Sequence, residues 1–267
     1  MIVVRLAGGL GNQIFQLGVA LYVAKKHNTK KVVIDDSSLA SYEVQRVNEL
    51  NSFFNFEKAN LKVYQEPFFL TKLRLPIHFA FPFKLSPFVG DRNLQVVINA
   101  EKSYFRIFDG YFQSSLNQSD FDEEIALLKD IFVNKYSENK DGCVIHIRGG
   151  DFVKLGWNSV TPKEYYASAI KMMREKYDIN KFYIVSDDKE YSTSILNGLN
   201  IDYEFIGGSM EEDFYLINSF QKRILSSSTF ALWASALGDN DNSIVIAPEF
   251  WTPDRKRKIF LPNERRI

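Results

Sequence analysis

The chain has 267 residues with 33 Lys and Arg against 33 Asp and Glu, so its formal net charge is zero. A balanced chain is not held to nucleic acid by bulk electrostatics, which argues against that class of partner. The single cysteine, Cys143, cannot form an internal disulfide, and the N-terminus lacks the basic and apolar regions of a signal peptide. No apolar run approaches the roughly 20 residues that span a bilayer, so we expect a cytoplasmic protein.

Short apolar runs alternate with amphipathic runs along the chain. The apolar runs predict strands at residues 3–6, 31–34, 96–98, 105–110, 144–148, 182–186, 203–205, 223–225 and 244–247. Apolar residues at helical spacing predict helices at residues 13–27, 120–132, 162–177, 191–199, 210–220 and 229–237. Because strands that alternate with helices build parallel sheets, the predicted fold class is α/β.

Turn chemistry places two helix starts and one domain boundary. Thr161 and Pro162 predict a cap followed by a first helical position, and residues 119–122 predict a cap for the helix before the central strand. Residues 136–142 are polar and turn-forming, and they separate two halves of domain size. We therefore predict domains at residues 1–138 and 139–267.

A glycine-rich turn follows the first strand. It contains Gly9 and Gly11, with Asn12 and Gln13 directly after them. A dinucleotide fingerprint would need another glycine where Ile14 stands, so the match to that motif is weak. Two interpretations stay open: a tight turn with an asparagine helix cap, or amide side chains that contact a polyhydroxylated ligand or a phosphate.

The most informative stretch is residues 146–152, His-Ile-Arg-Gly-Gly-Asp-Phe, where a predicted buried strand ends. Ligands of open α/β sheets bind at the carboxyl ends of strands. An imidazole, a guanidinium and a carboxylate at such a position suit an anion and a proton-transfer step. The alternative is a strand-end salt bridge followed by a surface turn.

Four motifs in order along the chain resemble those of the α-1,2-fucosyltransferases, glycosyltransferase family 11, in their bacterial type. They are the glycine-rich stretch 8–16, the central stretch 146–151, the strand and acidic turn 182–188, and the Ser/Thr-rich helix start 226–234. The chain departs from the family pattern at three positions. Gly149 replaces the second arginine of the central motif, Phe152 replaces its tyrosine, and Leu232 replaces the first tryptophan of the late aromatic pair.

The resemblance implies a GT-B-like fold, two Rossmann-like domains facing across a cleft. Residues 1–138 would form the acceptor-side domain, and residues 139–267 the domain that binds a GDP-sugar donor. The implied reaction moves L-fucose from GDP-β-L-fucose to O2 of a terminal β-galactoside, with inversion, in surface glycan or O-antigen synthesis. No metal or other cofactor is expected. The expected partners are the GDP-sugar and a galactoside-containing glycan, with peripheral contact at the inner face of the bacterial plasma membrane as an option.

Within this framework each candidate residue has a role and an alternative. The catalytic candidates are Arg148, which suits diphosphate oxygens, Asp151, which either deprotonates the acceptor hydroxyl or orients Arg148, and His146, which either positions the donor or is structural. The donor-binding candidates are Arg148, Ser186, Asp187, Asp188, Ser227, Ser228 and Thr229, although serines and aspartates at such places also cap helices and turns. Contacts of the glycine-rich loop with acceptor or donor are assigned to Gly9, Gly11, Asn12 and Gln13.

Other features have simpler interpretations. Residues 211–213 are acidic at a helix start and suit the helix dipole. The aspartate pairs at 120/122 and 239/241 are better explained as a cap and a turn than as metal ligands. The basic residues at 255–258 and 265–266 favour a solvated face over attraction to an anionic membrane. The aromatic run at 53–88 either packs in a core or lines an acceptor cleft.

Two other functions stay open. One is a GT-B transferase with a different nucleotide sugar, which a panel of donors would identify. The other is a non-catalytic protein that binds GDP or glycan, which the loss of an arginine at Gly149 favours.

Overall fold

The structure is a computed structural model that describes residues 1–41, 46–59, 61–65, 87–100, 105–135 and 140–267. The chain divides into two compact units, Met1–Val133 and Asn134–Ile267. The sequence placed this division at residue 138, which lies outside the described residues, as does most of the aromatic run, residues 66–86.

The first unit is built on a five-stranded parallel sheet. Its strands are β1 (Ile2–Arg5), β2 (Lys31–Asp35), β3 (Lys62–Gln65), β4 (Phe88–Val89) and β5 (Arg106–Phe108), in the spatial order β3-β2-β1-β5-β4. Its α-helices are α1 (Leu10–Lys26), α2 (Leu94–Ile98) and α3 (Gln118–Ile131). Helix α1 is buried over most of its length because it packs against both the sheet and α3.

The second unit is built on a six-stranded parallel sheet and a short antiparallel hairpin. The sheet strands are β6 (Lys140–Ile147), β7 (Lys181–Ser186), β8 (Asp202–Phe205), β9 (Phe220–Ile224), β10 (Ile244–Ala247) and β13 (Glu264–Arg266), and the hairpin is β11 (Phe250–Thr252) and β12 (Arg255–Lys256). The spatial order is β13-β10-β9-β6-β7-β8. Its helices are α4 (Gly150–Lys154), α5 (Lys163–Tyr177), α6 (Lys189–Leu196), α7 (Met210–Ser219) and α8 (Thr229–Gly238).

The core of the second unit follows the two periodicities of its elements. On β6, Cys143, Ile145 and Ile147 alternate onto one face of the sheet, as expected for a period of two. On α5, Tyr166 and Ile170 recur at helical spacing and pack in the same cluster. Burial raises the pKa of the Cys143 thiol, so this cysteine is a buried neutral side chain.

The α/β class and the type of most elements are confirmed, and one predicted strand is wrong. Residues 96–98 belong to helix α2, although their β-branched side chains favoured a strand. The Asn93 side chain accepts from Gly90 N at 2.8 Å and donates to Phe88 O at 3.0 Å, which fixes the turn between β4 and α2. The chain thus turns into a helix after the two-residue strand β4.

Three predicted caps are also wrong. Helix α3 is capped by Asn117, whose Oδ1 accepts from Asp120 N at 2.9 Å, rather than by residues 119–122. Helix α5 begins after Pro162, which occupies the cap position without a capping side chain, so Thr161 does not cap it. Helix α1 begins at Leu10, and Gly9 rather than Asn12 holds its cap position.

In the described part of the chain, no helix is long and apolar enough to cross a membrane.

Candidate active site

The carboxyl ends of three neighbouring strands bring the central candidate residues together. In the parallel register Ile147 of β6 pairs with Ser186 of β7, and Ile145 pairs with Ile224 of β9. The loops that leave these strands carry the central motif, the acidic turn and the serine run. They lie at the edge of an open sheet where ligands bind in this class of fold. The sequence-predicted residues of the second unit therefore lie together at this edge of the sheet.

Arg148 is held between two carboxylates. Its Nε and Nη2 donate to Asp151 Oδ1 at 3.2 and 2.7 Å, and its Nη1 lies 2.9 Å from Asp187 Oδ2. The guanidinium also lies over the Phe152 ring, 5.5 Å from its centroid. These contacts use three of the five N–H groups of an arginine, and no further partner is recorded among the described residues. Two N–H groups of the guanidinium therefore remain, and Asp151 is hydrogen-bonded to Arg148.

The backbone of the central motif is tied to the acidic turn. Gly149 N donates to Asp187 Oδ1 at 2.9 Å, and Gly150 N donates to Asp188 Oδ2 at 3.4 Å. Gly150 has a φ of +45°, and a Cβ on it would lie 2.7 Å from Asp187 Oδ2. A Cβ on Gly149 would lie 2.5 Å from the Cβ of Asp188. Both glycines are therefore needed for the close approach of the two loops.

The acidic turn itself is mostly occupied by local bonds. Asp188 caps α6 by accepting from Tyr191 N at 3.0 Å, which confirms the capping alternative for this residue. Ser186 Oγ donates to Asp188 O at 3.1 Å and accepts from Ser192 Oγ at 2.7 Å. These side chains position the loop, and their polar atoms are bound to protein rather than presented to a ligand.

His146 is a buried neutral imidazole. It is 4% exposed, and its Nδ1 lies 2.8 Å from Ser226 Oγ. Burial, aided by the positive charge of Arg148, lowers the pKa of His146 to about 3. Such a group is uncharged at neutral pH, so the proton-transfer role that the sequence suggested is not supported. The bond to Ser226 instead links the end of β6 to the serine loop.

The serine run forms the start of helix α8. Ser228 caps the helix by accepting from Phe230 N at 3.2 Å, and Thr229 is the first helical residue. The three serines at 226–228 are buried, and Ser227 Oγ has no hydrogen-bond partner among the described residues. A buried hydroxyl without a partner costs free energy, so its presence beside a helix start points to a group that is bound in the functional state.

One carboxylate of the second unit makes a contact that the sequence analysis did not predict. Asp213, in the first turns of α7, accepts from Gly208 N at 3.1 Å in the loop that follows β8. Burial raises the pKa of Asp213 to about 6, and the negative charges of Glu212 and Asp187 act in the same direction. The Gly-Gly pair at 207–208, one residue beyond a predicted strand, was the signal that could have pointed to this contact. The acidic run had instead been assigned only to the helix dipole.

The glycine-rich loop of the first unit is bound within its own unit. Gln13 is fully buried, donates to Gly8 O and Val47 O at 3.1 and 2.9 Å, and accepts from Glu49 N at 3.1 Å. The amide of Gln13 therefore joins two loops of the first unit, and its predicted contact with a ligand stays a prediction. Asn12 accepts from Gln113 at 2.7 Å and lies within α1, as does Gly11. The loop proper is residues 7–9.

Neither aspartate pair resembles a metal site. Asp120 is buried and accepts from Tyr22 Oη at 2.7 Å and from Gln95 Nε2 at 2.9 Å. Asp239 ends helix α8 and lies 3.8 Å from the buried Arg223. In the portion of the chain that the structure describes, no group of three or more His, Cys, Asp or Glu side chains is placed to hold a metal ion.

Comparison with known proteins gives this geometry a context. The sequence pattern described as Glycosyl transferase family 11 matches residues 92–264. The O-antigen biosynthesis glycosyltransferase WbnK of Escherichia coli is 25% identical over 92% of this chain and 93% of its own length. An alpha-1,2-colitosyltransferase of Escherichia coli is 26% identical over 98% of this chain and 96% of its own length. The galactoside alpha-(1,2)-fucosyltransferase 2 of Rattus norvegicus is 27% identical over 53% of this chain and 42% of its own length.

Solved structures share the fold. The fucosyltransferase NodZ from Bradyrhizobium superimposes with a TM-score of 0.57 at 17% identity, over 87% of this chain and 92% of NodZ. Crystals of NodZ alpha-1,6-fucosyltransferase soaked with GDP-fucose give a TM-score of 0.58 at 17% identity, over 88% of this chain and 92% of that one. At this identity the likeness extends to the fold alone.

Proposed function

Since this chain belongs to glycosyltransferase family 11, we propose that it transfers L-fucose from GDP-β-L-fucose to O2 of a terminal β-galactoside, with inversion at the anomeric carbon. The observation that carries the proposal is the Arg148 site: a guanidinium with unused N–H groups beside a buried helix start with an unpartnered serine hydroxyl. Relatives named for O-antigen biosynthesis and for galactoside alpha-(1,2)-fucosyl transfer support the same assignment.

The chemistry asks for stabilisation of a leaving diphosphate. The acceptor O2 forms a bond to C1 of fucose, the bond from C1 to the β-phosphate oxygen breaks, and its electron pair leaves with GDP. The proton of the acceptor hydroxyl passes to a base. Arg148 would donate to the departing oxygens, and the positive end of α8 with Ser227 and Thr229 would share the charge. These groups take the place of a metal ion, so we expect metal-independent transfer.

The protonation states of the site fit this scheme. His146 is neutral and holds Ser226, so it acts as a positioning residue for the serine loop. Asp151 accepts two hydrogen bonds from Arg148, from Nε and Nη2, and so fixes the orientation of the guanidinium. We assign Asp151 to orienting Arg148. Donor binding is assigned to the second unit and acceptor binding to the first.

One comparison supports a different sugar nucleotide as the alternative donor substrate. The alpha-1,2-colitosyltransferase aligns with nearly the whole chain, whereas the galactoside fucosyltransferase aligns with about half of it. A GDP-colitose donor is therefore the alternative within the same reaction. For the setting we propose O-antigen synthesis in the bacterial cytoplasm, with a peripheral contact at the inner face of the plasma membrane.

The test is product analysis with purified protein. GDP-fucose, GDP-colitose and UDP-galactose are each supplied with lactose, and the linkage of any product is determined by NMR. Fucosyl transfer to O2 of galactose supports the proposal. Transfer only from GDP-colitose selects the alternative. GDP binding without turnover of any donor would leave a nucleotide-binding protein, against the proposed activity.

A further inference from the structure

Helix α5 carries two adjacent buried tyrosines whose hydroxyl groups reach the carboxyl ends of three strands. Tyr165 is 7% exposed, and its Oη donates to Leu225 O at 2.6 Å and lies 3.3 Å from Ile246 O. Tyr166 is fully buried, and its Oη donates to His146 O at 3.3 Å. These carbonyl groups lie at or directly after the ends of β9, β10 and β6. The pair therefore contacts the backbone where the loops of the candidate site leave the sheet.

The hydrogen bond from Tyr165 acts on the first peptide unit of the serine run, residues 226–228. Leu225 O belongs to the planar unit that includes Ser226 N, so a donor on that oxygen fixes the plane of the peptide. Leu225 N donates to Ile246 O at 2.8 Å, so this residue is bound at both its N–H and its carbonyl group. Ser227, with its buried hydroxyl, follows only two residues later.

The second tyrosine acts on the other link to the serine run. His146 Nδ1 lies 2.8 Å from Ser226 Oγ, and the carbonyl of the same histidine accepts from Tyr166. The rings of Tyr165 and Tyr166 contact each other edge to face, with centroids 5.1 Å apart. The serine run is thus held at Leu225 by one tyrosine and, through His146, by the other.

The hydroxyl group of Tyr165 is not needed to fill the core. Its ring lies in the apolar cluster of the second unit, where a phenylalanine would occupy the same space. Burial of a hydroxyl group is unfavourable unless the group is hydrogen-bonded, and here its partners are backbone carbonyl groups at the edge of the site. Burial also raises the pKa of Tyr165 well above its usual value, so the hydroxyl keeps its proton and remains a donor at neutral pH.

Building on the proposed use of a GDP-sugar, we propose that Tyr165 is a positioning residue for the donor diphosphate: it holds the Leu225 peptide so that Ser227 and the start of α8 meet the phosphate oxygens. Tyr165 acts through the serine run, since its own hydroxyl is used within the protein. Without that hydroxyl, the Leu225 carbonyl loses a buried donor and the peptide plane is less restricted. Binding of the diphosphate would then lose the preorganisation that a fixed loop provides.

Three substitutions test this role. Tyr165→Phe removes only the hydroxyl group and keeps the ring in the core. Ser227→Ala removes the hydroxyl that the serine run would present to the phosphates. Tyr177→Phe is the matched control, because Tyr177 lies at the far end of the same helix. GDP binding is measured by calorimetry, below the melting temperature of every variant, for each substitution and for Tyr165→Phe combined with Ser227→Ala. An unfolded fraction lowers the measured stoichiometry, whereas a displaced loop raises Kd, so the two effects are distinguishable.

We expect Tyr165→Phe to weaken GDP binding about 3- to 10-fold at unchanged stoichiometry, the effect of about one hydrogen bond, and Tyr177→Phe to bind as the wild type does. In the Ser227→Ala background, Tyr165→Phe should weaken binding by less than about 2-fold, because the group that it positions is absent. Wild-type affinity in Tyr165→Phe, whatever its melting temperature, or an equal loss in Tyr177→Phe, overturns the inference. Losses that simply multiply in the double variant also overturn it, since Tyr165 would then not act through the serine run. Absence of GDP binding by the wild type would instead refute the proposed function.

Discussion

Replacement of Arg148 should lower the catalytic efficiency by more than the loss of one hydrogen-bond donor would, because its two carboxylate partners remain. In Arg148→Ala, Asp151 and Asp187 keep their negative charges and face the donor diphosphate without the guanidinium between them. Loss of one preorganised donor to a developing oxyanion typically lowers kcat by about 10²- to 10³-fold. With the added repulsion, we expect kcat/KM for GDP-fucose to fall by at least about 10³-fold.

A second substitution separates the two contributions. Arg148→Ala combined with Asp187→Asn removes one unpaired charge while the asparagine oxygen can still accept from Gly149 N. The double variant should regain about 10-fold over the single one, since close charge pairs couple non-additively. GDP release is the assay, and Arg174→Ala, which removes an exposed arginine from α5, is the control. Wild-type rates in Arg148→Ala would refute the role of Arg148, and a double variant no faster than the single one would refute the charge argument.

Three further predictions address other features. Transfer should survive excess EDTA, and a loss that Mn²⁺ or Mg²⁺ restores would contradict the metal-independent scheme. Glu124 is fully buried and, among the described residues, its carboxyl group has no hydrogen-bond partner. Burial, and after it the negative charge of Asp120, raises the pKa of Glu124, so this side chain is protonated in the folded protein. Its contribution to the free energy of unfolding therefore falls as the pH rises above 4.5, the pKa of the carboxyl group in the unfolded chain. The melting temperature should therefore decline less between pH 5 and 8 in Glu124→Gln than in the wild type or in Glu123→Gln, and parallel declines would contradict this. Gly149→Arg should not tighten GDP binding, although the added positive charge alone predicts that it would. The reason is that a Cβ at position 149 would lie 2.5 Å from the Cβ of Asp188. Tighter binding in calorimetry with an unchanged melting temperature would contradict this, because it would show that the central motif and the acidic turn separate freely.

Local patterns of apolar and polar residues were sufficient to predict the buried strands and the amphipathic helices. The strands with continuous apolar runs, such as β6 and β10, are central and buried, and they were found. The strands that were missed are short or polar: β3 and β13 show mostly exposed side chains at the edges of their sheets. Edge strands carry charged residues that suppress pairing with other chains, so they lack the apolar signal on which sequence patterns depend.

The candidate site was predictable only as far as its contacts are local. The pairing of Arg148 with Asp151 spans three positions and follows from the motif. The contact of Arg148 with Asp187 depends on the register of β6 against β7, which cannot be derived from the sequence pattern. The burial of Gln13 depends likewise on Val47 and Glu49, which belong to a distant loop. A residue that looks like a ligand contact in the sequence is then found to join two parts of the protein.

Gly149 shows how a departure from a family pattern changes meaning once the neighbouring loop is known. Counted as charge, it is a missing arginine that weakens the site for a diphosphate. In the structure its lack of a side chain lets Asp188 approach, and its N–H donates to Asp187, which in turn holds Arg148. An added side chain would disturb the residue that fixes the remaining arginine. The position of the Arg148 guanidinium is therefore set by Asp151 and by the acidic turn, and the absence of a side chain at Gly149 is part of that geometry.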